Sequence, residues 1–288
     1  MTKLTKLIAI DLDGTLLNEK QQISEKNLEA ISFAQSQGSE VVIATGRAQF
    51  DVQTLFEHTN FRPWIIGANG ATIHQPDGAV FHSVPIDKQV ALNSLAWLEK
   101  HNFYYEIFSN SAIYTPENGR DLLAIEVDRI KSANPDIDVD QLSDAANKQF
   151  SQTGFSFIPT YKELENKDIN IYNILVFSFF QDRLLKGREY FKQFEDMSIV
   201  SSADHNFELE HKHASKGQAL ELLANHFQLN LTDTAAVGDS FNDLSMLRIA
   251  GKSAAMENAP QAIKEACQQV TLSNTENGVA HFIFSLMK

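Results

Sequence analysis

Two aspartates follow a short apolar segment near the N-terminus of this chain of 288 residues. Asp11 comes directly after Ile10, and Asp13 stands two positions further on, so both carboxylates can lie at the same end of a strand. Gly14 allows the chain to turn sharply there. Carboxylates that lie together suit a hard divalent cation such as Mg²⁺. An acidic turn that is capped by Thr15 is the purely structural alternative.

A second group of polar residues, Thr45-Gly46-Arg47, follows the apolar segment 41–44. The strand predicted there meets the start of a helix, where a hydroxyl group and free backbone N–H groups suit a phosphate. The same three residues also fit an ordinary turn and helix cap. On its own, this segment leaves both interpretations open.

The third and fourth groups lie towards the C-terminus. Lys216 stands in the first turn of a predicted helix, against the helix dipole, which indicates a role beyond structure. Gly238 and Asp239 follow a third apolar segment, and Asn242 and Asp243 come soon after. An acidic residue at a helix start, such as Asp243, is also a routine partner of the helix dipole.

Apolar segments alternate with helical segments at both ends of the chain. The predicted strands are 6–10, 41–44, 64–66, 234–238 and 252–256, and the predicted helices follow Ser24 and span 47–58, 216–227, 242–249 and 260–268. Such alternation is typical of an α/β fold with a doubly wound parallel (Rossmann-like) sheet. Because ligands bind beyond the carboxyl ends of the strands in such sheets, we expect Asp11, Thr45 and Asp239 to converge.

The middle of the chain has a different pattern and predicts an inserted α/β domain. A hairpin that turns at Asp77-Gly78 precedes it. The predicted elements of the insert are helices at 87–101, 119–133 and 182–195, strands at 103–108, 112–115, 171–180 and 197–201, and an irregular stretch, 134–168, with a helix at 141–150. We therefore predict a catalytic core of residues 1–83 and 201–288 and an inserted cap domain of residues 84–200.

The order and spacing of the four polar groups resemble the haloacid dehalogenase-like phosphohydrolases. The segments DLDGTLL, ATGR, ANGA, SKG and GDSFNDLSML resemble the Cof-type phosphatases with a type IIB cap in particular, and the resemblance extends over nearly the whole chain. It implies a Mg²⁺-dependent phosphatase for small phosphorylated metabolites such as sugar phosphates or nucleotide- and cofactor-type phosphates. The bulky residues His211 and His213 depart from the pattern, and a solvated strand end is a better interpretation of them than a zinc site.

The resemblance assigns a role to each residue of the four groups. Asp11 would be the nucleophile that forms an aspartyl-phosphate, and Asp13 would be the acid–base catalyst. Mg²⁺ would be bound by Asp11, the backbone carbonyl of Asp13 and Asp239, with Asp243 as a further candidate. The residues that would bind the phosphate are Thr45, Gly46, Arg47, Lys216 and Asn242.

Two other functions are open on the sequence alone. A phosphosugar mutase of the same superfamily has a similar insert and would also have an aspartate at the position of Asp13. A catalytically idle protein that binds a phosphorylated ligand is disfavoured, because every expected catalytic residue is present. The sequence does not reveal the substrate, since the leaving group would contact the insert. We expect this insert to be a mobile cap. Most of its aromatic residues are expected to belong to its hydrophobic core: Phe103, Tyr104, Tyr105, Phe108, Phe155, Phe157, Tyr161, Tyr172 and Phe177.

Composition and charge exclude several classes of protein. The net charge of −13 argues against nucleic acid or an anionic membrane as a partner. No segment approaches the ~18 consecutive apolar residues of a membrane-spanning helix, and the N-terminus lacks the pattern of a secretory signal, so a cytoplasmic location is predicted. Cys267 is the only cysteine, which excludes an intrachain disulfide. We expect a small phosphorylated metabolite as the partner, and a monomer or weak homodimer.

Overall fold

The structure is a computed structural model, and it describes residues 5–133 and 154–287. The chain divides into two units. The first unit consists of Met1–Ser83 together with His213–Lys288, and the second unit consists of Val84–Lys212. The helix predicted at 141–150 lies outside the described residues.

The first unit begins with alternating strands and helices, as the sequence predicts. In chain order these elements are β1 (Leu7–Ile10), α1 (Glu25–Ser36), β2 (Glu40–Ala44), α2 (Gln49–Phe56), β3 (Trp64–Gly67), β4 (Thr72–His74) and β5 (Val80–Ser83). The side chain of Ser24 accepts a hydrogen bond from the backbone N–H of Asn27 and so caps α1. The predicted hairpin is confirmed: β4 pairs with β5, and Gly78 has a left-handed φ of 89° in the turn.

The second unit is a mixed sheet with helices. Its elements are α3 (Lys88–Lys100), β6 (Tyr104–Ser109), β7 (Ile113–Pro116), α4 (Gly119–Ala133), β8 (Phe155–Ile158), β9 (Ile171–Phe177), α5 (Gln181–Phe191), β10 (Met197–Val200) and β11 (Asn206–His211). The strand order is β10-β11-β9-β6-β7-β8. One face of this sheet buries a hydrophobic cluster of its own with α3 and α5, which includes Leu95, Tyr105, Ile174, Leu184 and Leu209.

The prediction that most aromatic residues of the insert are core is confirmed for Phe103, Tyr104, Tyr105, Phe108, Tyr172 and Phe177, whereas Phe157 is exposed.

Two strands of this second sheet differ from the prediction. β8 lies in the stretch that the sequence predicts to be irregular, and β11 lies in residues that the sequence assigns to the core domain. β11 alternates Phe207 and Leu209, which belong to the hydrophobic cluster, with Glu208 and Glu210 on the opposite face. Because β11 pairs with both β9 and β10, the unit boundary falls after Lys212 and not at residue 201.

The chain then returns to the first unit. The remaining elements are α6 (Lys216–His226), β12 (Thr234–Gly238), α7 (Leu244–Ile249), β13 (Lys252–Ala255), α8 (Gln261–Ala266), β14 (Gln269–Val270) and α9 (Gly278–Leu286). The helix predicted from residue 242 begins two residues later, after a single 3₁₀ turn at Phe241–Asp243. Helix α9 is not among the predicted elements.

The first unit is a doubly wound sheet, which confirms the predicted fold class. Among the described residues its strand order is β14-β13-β12-β1-β2-β3-β4-β5, parallel from β14 to β3. Successive residues of β1 point to opposite faces, so Ile8 and Ile10 join a hydrophobic cluster with α1, α2 and α9. Leu7 and Ala9 join a second cluster with α6, α7 and α8. The sheet is therefore covered on both faces, and its carboxyl edge is where a ligand is expected to bind.

Candidate active site

The predicted site residues lie at the carboxyl ends of neighbouring strands. β12, β1, β2 and β3 are consecutive in the sheet, so the turns after them share one edge. Asp11 follows β1, Thr45 follows β2, and Asp239 follows β12. The convergence that the sequence predicts is therefore what the parallel sheet produces.

Lys216 joins two of these turns through its side chain. Its Nζ donates hydrogen bonds to Oδ1 of Asp11 at 2.7 Å and to Oδ1 of Asp243 at 2.6 Å. The lysine is fully buried at the start of α6, where its charge opposes the helix dipole. Burial disfavours the ammonium form, but attraction to Asp11 and Asp243 outweighs this cost and raises the pKa of Lys216. The lysine is thus held as a cation against two carboxylates.

Three carboxylates form a cluster beside this lysine. Oxygens of Asp11, Asp239 and Asp243 lie within 4.8 Å of one another. Burial and then repulsion by Asp243 raise the pKa of Asp11 well above its usual range, although Lys216 opposes this. The same two causes raise the pKa of Asp239 to about 6. Oδ2 of Asp11 is buried and accepts no hydrogen bond from the described residues. An orphaned carboxylate oxygen within a cluster of like charges fits a divalent cation, which would relieve the repulsion.

Two glycines allow the carboxylates to lie so close to the backbone. A Cβ at Gly14, whose φ is 79°, would lie 2.5 Å from Oδ2 of Asp239. A Cβ at Gly238 would lie 2.5 Å from Cγ of Asp243. The backbone N–H groups of Asp239 and Ser240 donate to Oδ2 of Asp243 at 2.9 and 3.0 Å. Asp243 thus orients both the lysine and the turn after β12, which goes beyond a role as partner of the helix dipole.

The turns after β2 and β3, which contain Thr45 and Asn69, form the neighbouring side of the site. The hydroxyl oxygen of Thr45 accepts a hydrogen bond from the backbone N–H of Arg47 at 3.2 Å. Asn242, which is predicted to bind phosphate, donates through Nδ2 to Oδ1 of Asn69 at 3.0 Å. A Cβ at Gly46 would lie 3.0 Å from the same oxygen of Asn69. The structure therefore brings Thr45, Gly46 and Asn242 together around Asn69.

Asn69 is a residue of the site to which the sequence alone assigns no role. It is buried and has a left-handed φ of 54°, directly after Ala68 with a φ of 45°. Two consecutive residues in this region store backbone strain, which is typical of functional turns. The signal in the sequence is the Asn-Gly pair at residues 69–70, directly after an apolar strand.

Asp13 does not join the carboxylate cluster of the described residues. Its carboxylate is bound by Arg47, whose Nε and Nη2 each donate to one of its oxygens at 2.7 Å. Burial disfavours the guanidinium charge, but the hydrogen bonds and charge of Asp13 outweigh this and raise the pKa of Arg47. His211 and His213 are likewise outside the potential metal-binding group found among the described residues.

A doubly wound sheet with clustered carboxylates and a buried lysine at its carboxyl edge defines the protein as an α/β enzyme. The family model of the haloacid dehalogenase-like hydrolases matches residues 8–283, and the chain belongs to this family. This confirms the family that the motifs predict.

Several relatives are similar to this chain over almost their full length. The chain is 53% identical to phosphatase YwpJ of Bacillus subtilis (strain 168), over 98% of this chain and 100% of that protein. It is 40% identical to the 5-amino-6-(5-phospho-D-ribitylamino)uracil phosphatase YwtE of the same organism, over 98% of each chain. A solved structure of a haloacid dehalogenase-like hydrolase from B. subtilis matches with a TM-score of 0.86 and 53% identity, over 97% of this chain and 99% of that chain.

These relatives favour one of the functions that the sequence leaves open. The protein is a phosphatase of the haloacid dehalogenase-like family, and not an idle ligand-binding protein. Within the described parts of the chain, no helix has the length and apolar character needed to cross a membrane.

Proposed function

We propose that the protein hydrolyses phosphate monoesters of small metabolites in a Mg²⁺-dependent reaction, through a phosphorylated Asp11. The observation that carries this proposal is the orphaned Oδ2 of Asp11. It is buried beside Asp239 and Asp243, while Oδ1 of the same carboxylate is held by Lys216. Oδ1 is thus held in place, and Oδ2 accepts no hydrogen bond from the described residues.

Electrostatics explain why a metal ion is part of the proposal. A carboxylate that approaches a phosphate dianion is repelled by about 4 kcal/mol for each pair of unit charges at about 4 Å, at an effective dielectric constant near 20. Asp239 and Asp243 add further negative charge around Asp11. Asp11, Asp239 and the backbone carbonyl of Asp13 would bind Mg²⁺, with Asp243 as a further candidate. When bound, the ion offsets this repulsion and keeps Asp11 in the carboxylate form.

The reaction then divides into two steps. In the first, a carboxylate oxygen of Asp11 forms a bond to phosphorus, the bond to the leaving oxygen breaks, and Asp13 donates a proton to that oxygen. In the second, Asp13 accepts a proton from water, which attacks the phosphorus and releases Asp11 and inorganic phosphate. Lys216 orients Asp11 throughout and, with Thr45, Gly46 and Asn242, faces the phosphoryl oxygens.

The second unit is our candidate for the part that selects the leaving group. The phosphate-binding residues above all belong to the first unit, whereas the second unit has a separate hydrophobic core. The similarity of the whole chain to the phosphatase YwtE supports a small phosphorylated metabolite, of the general size of a phosphorylated ribityl compound, as the substrate. We propose a cytoplasmic enzyme that acts without a nucleic-acid or membrane partner, as a monomer or weak homodimer.

The test is release of inorganic phosphate from a panel of phosphorylated metabolites, scored by kcat/KM. We expect EDTA to abolish turnover and Mg²⁺ to restore it, and Ca²⁺ to support it poorly because its coordination is larger and more flexible. Full turnover in metal-free enzyme would contradict the proposal. Conversion of a hexose 1-phosphate to its 6-phosphate in the presence of a bisphosphate activator, without net phosphate release, would show a mutase instead.

A further inference from the structure

The guanidinium of Arg47 donates hydrogen bonds to three side chains of the first unit. Nε and Nη2 donate to the two oxygens of Asp13, both at 2.7 Å. Nη2 also donates to Oε1 of Gln21 at 2.7 Å, and Nη1 donates to Oδ2 of Asp51 at 2.9 Å. Four of the five N–H donors of the guanidinium are therefore used.

Both flanking partners are held by local structure. Asp51 lies in the first turn of α2, four residues after Arg47, and is almost fully buried. Gln21 has a left-handed φ of 57°, in a turn where its N–H donates to the carbonyl of Asn18. The side chain of Asn18 accepts hydrogen bonds from the N–H groups of Lys20 and Gln22, which stabilises this turn. The strained residue thus presents its amide oxygen to Arg47.

We propose that Arg47 is a positioning residue that orients the carboxylate of Asp13, and not a ligand of the substrate phosphate. This inference rests on the proposed function, in which Asp13 is the acid–base catalyst. Bidentate hydrogen bonding to both carboxylate oxygens fixes the orientation of the carboxylate plane as well as its position. Two carboxylates, Asp13 and Asp51, also surround one guanidinium, so a phosphate dianion would meet excess negative charge there.

A positioning role predicts losses that depend on the leaving group. An alkyl phosphate needs a proton on its leaving oxygen, whereas p-nitrophenolate leaves with little protonation. Misplacing Asp13 should therefore slow the first step, release of the leaving group, much more for the alkyl phosphate than for p-nitrophenyl phosphate. A phosphate ligand, in contrast, serves both substrates equally and also binds free inorganic phosphate.

The first experiment compares Arg47→Lys with wild type on a glycerol phosphate and on p-nitrophenyl phosphate. We expect the single-turnover rate of leaving-group release to fall about 10-fold or more on the alkyl ester and less than about 3-fold on the aryl ester, with the Ki of inorganic phosphate within about 2-fold. Arg62→Lys is the matched control, because Arg62 donates hydrogen bonds to the backbone carbonyls of Phe56, Thr59 and Phe61, away from the proposed site. Equal losses on both esters with a raised Ki for phosphate would overturn the inference.

A double-mutant cycle tests the coupling directly. In an Asp13→Ala background, we expect Arg47→Lys to change kcat by less than about 2-fold, since its partner is already gone. Losses that multiply would overturn the inference while leaving the proposed function intact. Full activity of Asp13→Ala on the alkyl ester would instead contradict the proposed role of Asp13, and the inference with it.

A second variant guards against misfolding of Arg47→Lys, which thermal unfolding will reveal. Gln21 is half-buried at the surface, and Gln21→Leu removes one of the bonds to Arg47 without removing a charge. We expect Gln21→Leu also to slow leaving-group release selectively on the alkyl ester, with a smaller loss of about 3-fold. An equal loss on both esters would contradict positioning.

Discussion

Single side chains of the site have distinct and separable roles. Lys216 binds one oxygen of Asp11, and the other oxygen is buried without a hydrogen-bond donor among the described residues. Asp13 lies outside this cluster and is bound by Arg47. The two aspartates of the first motif are therefore in different electrostatic settings, although one residue separates them.

Substitution of each aspartate should give a different defect. We expect Asp11→Asn to form no phosphoenzyme, because the nucleophile is lost. Asp13→Asn should keep the nucleophile but lose about 10²-fold or more in kcat, and phosphoenzyme should accumulate with p-nitrophenyl phosphate. Intact mass spectrometry of enzyme quenched during turnover measures this. Equal phosphoenzyme in both variants would show that the roles are misassigned.

The cluster of Asp11, Asp239 and Asp243 should also lower the free energy of unfolding when no metal is bound. The pKa of Asp239 is raised to about 6, so the folded protein keeps a proton that the unfolded chain releases near pH 4. The contribution of this group to stability is complete below about pH 4 and is lost as the pH rises through about 6. Asp239→Asn should therefore stabilise the metal-free protein at pH 7 by about 1–3 kcal/mol, and by much less at pH 4.5.

Urea unfolding in EDTA at both pH values measures this difference. Asp77→Asn is the control, since Asp77 is an exposed residue of a hairpin turn, where asparagine is equally suitable. The same gain in both variants, or a gain that does not change with pH, would contradict the explanation.

At the level of elements, the site depends on how closely the turn after β3 packs against the start of α6. A Cβ at Gly70 would lie 2.2 Å from the carbonyl oxygen of Ser215. Ser215 caps α6, and Lys216 is the first residue of that helix. A shift of this helix end would therefore move the lysine away from Asp11.

We expect Gly70→Ala to lower kcat/KM on p-nitrophenyl phosphate by about 10²-fold, because small displacements of catalytic groups are costly. Gly38→Ala is a matched control: Gly38 also has a left-handed φ, 86°, but a Cβ there meets no atom within 4 Å. Both variants suffer the same kind of backbone strain, so only the first should lose activity. Similar activity in the two variants would show that helix placement tolerates the shift.

At the level of the whole molecule, each unit has its own hydrophobic core. Two clusters cover the faces of the first sheet, and a third belongs to the second unit. The proposed phosphate site lies in the first unit, so binding of phosphate and selection of the leaving group can be separated experimentally.

Excising residues 84–212 and joining Ser83 to His213 through a short Gly/Ser linker should leave some activity on p-nitrophenyl phosphate. We expect discrimination among phosphorylated metabolites to disappear, because the binding energy of remote parts of the substrate is lost. Ratios of kcat/KM across the metabolite panel measure this, with circular dichroism to verify folding. A folded variant that keeps the ranking of the parent would place specificity in loops of the first unit.

The sequence by itself determines the fold class and most of the site. β1, β2 and β12 are short apolar segments that end in polar residues, and such local patterns are present in any conformation of the chain. The parallel alternation then predicts that Asp11, Thr45 and Asp239 share one edge. The sequence does not predict β11 as a strand of the second unit, because it contains two glutamates. Their burial depends on the neighbouring strands β9 and β10.

Only the tertiary structure decides which of these side chains bind one another. Lys216 and Asp11 are 205 residues apart, and Arg47 meets Asp13 across 34 residues. The resemblance implies a phosphate beside Arg47, and the structure adds side-chain partners for this residue in the turn at Gln21 and at Asp51 on α2. Asn69 likewise acquires its contact with Asn242 only when β3 and β12 lie in one sheet. Hydrogen bonds depend on distances of a few tenths of an ångström, which packing determines and residue spacing does not.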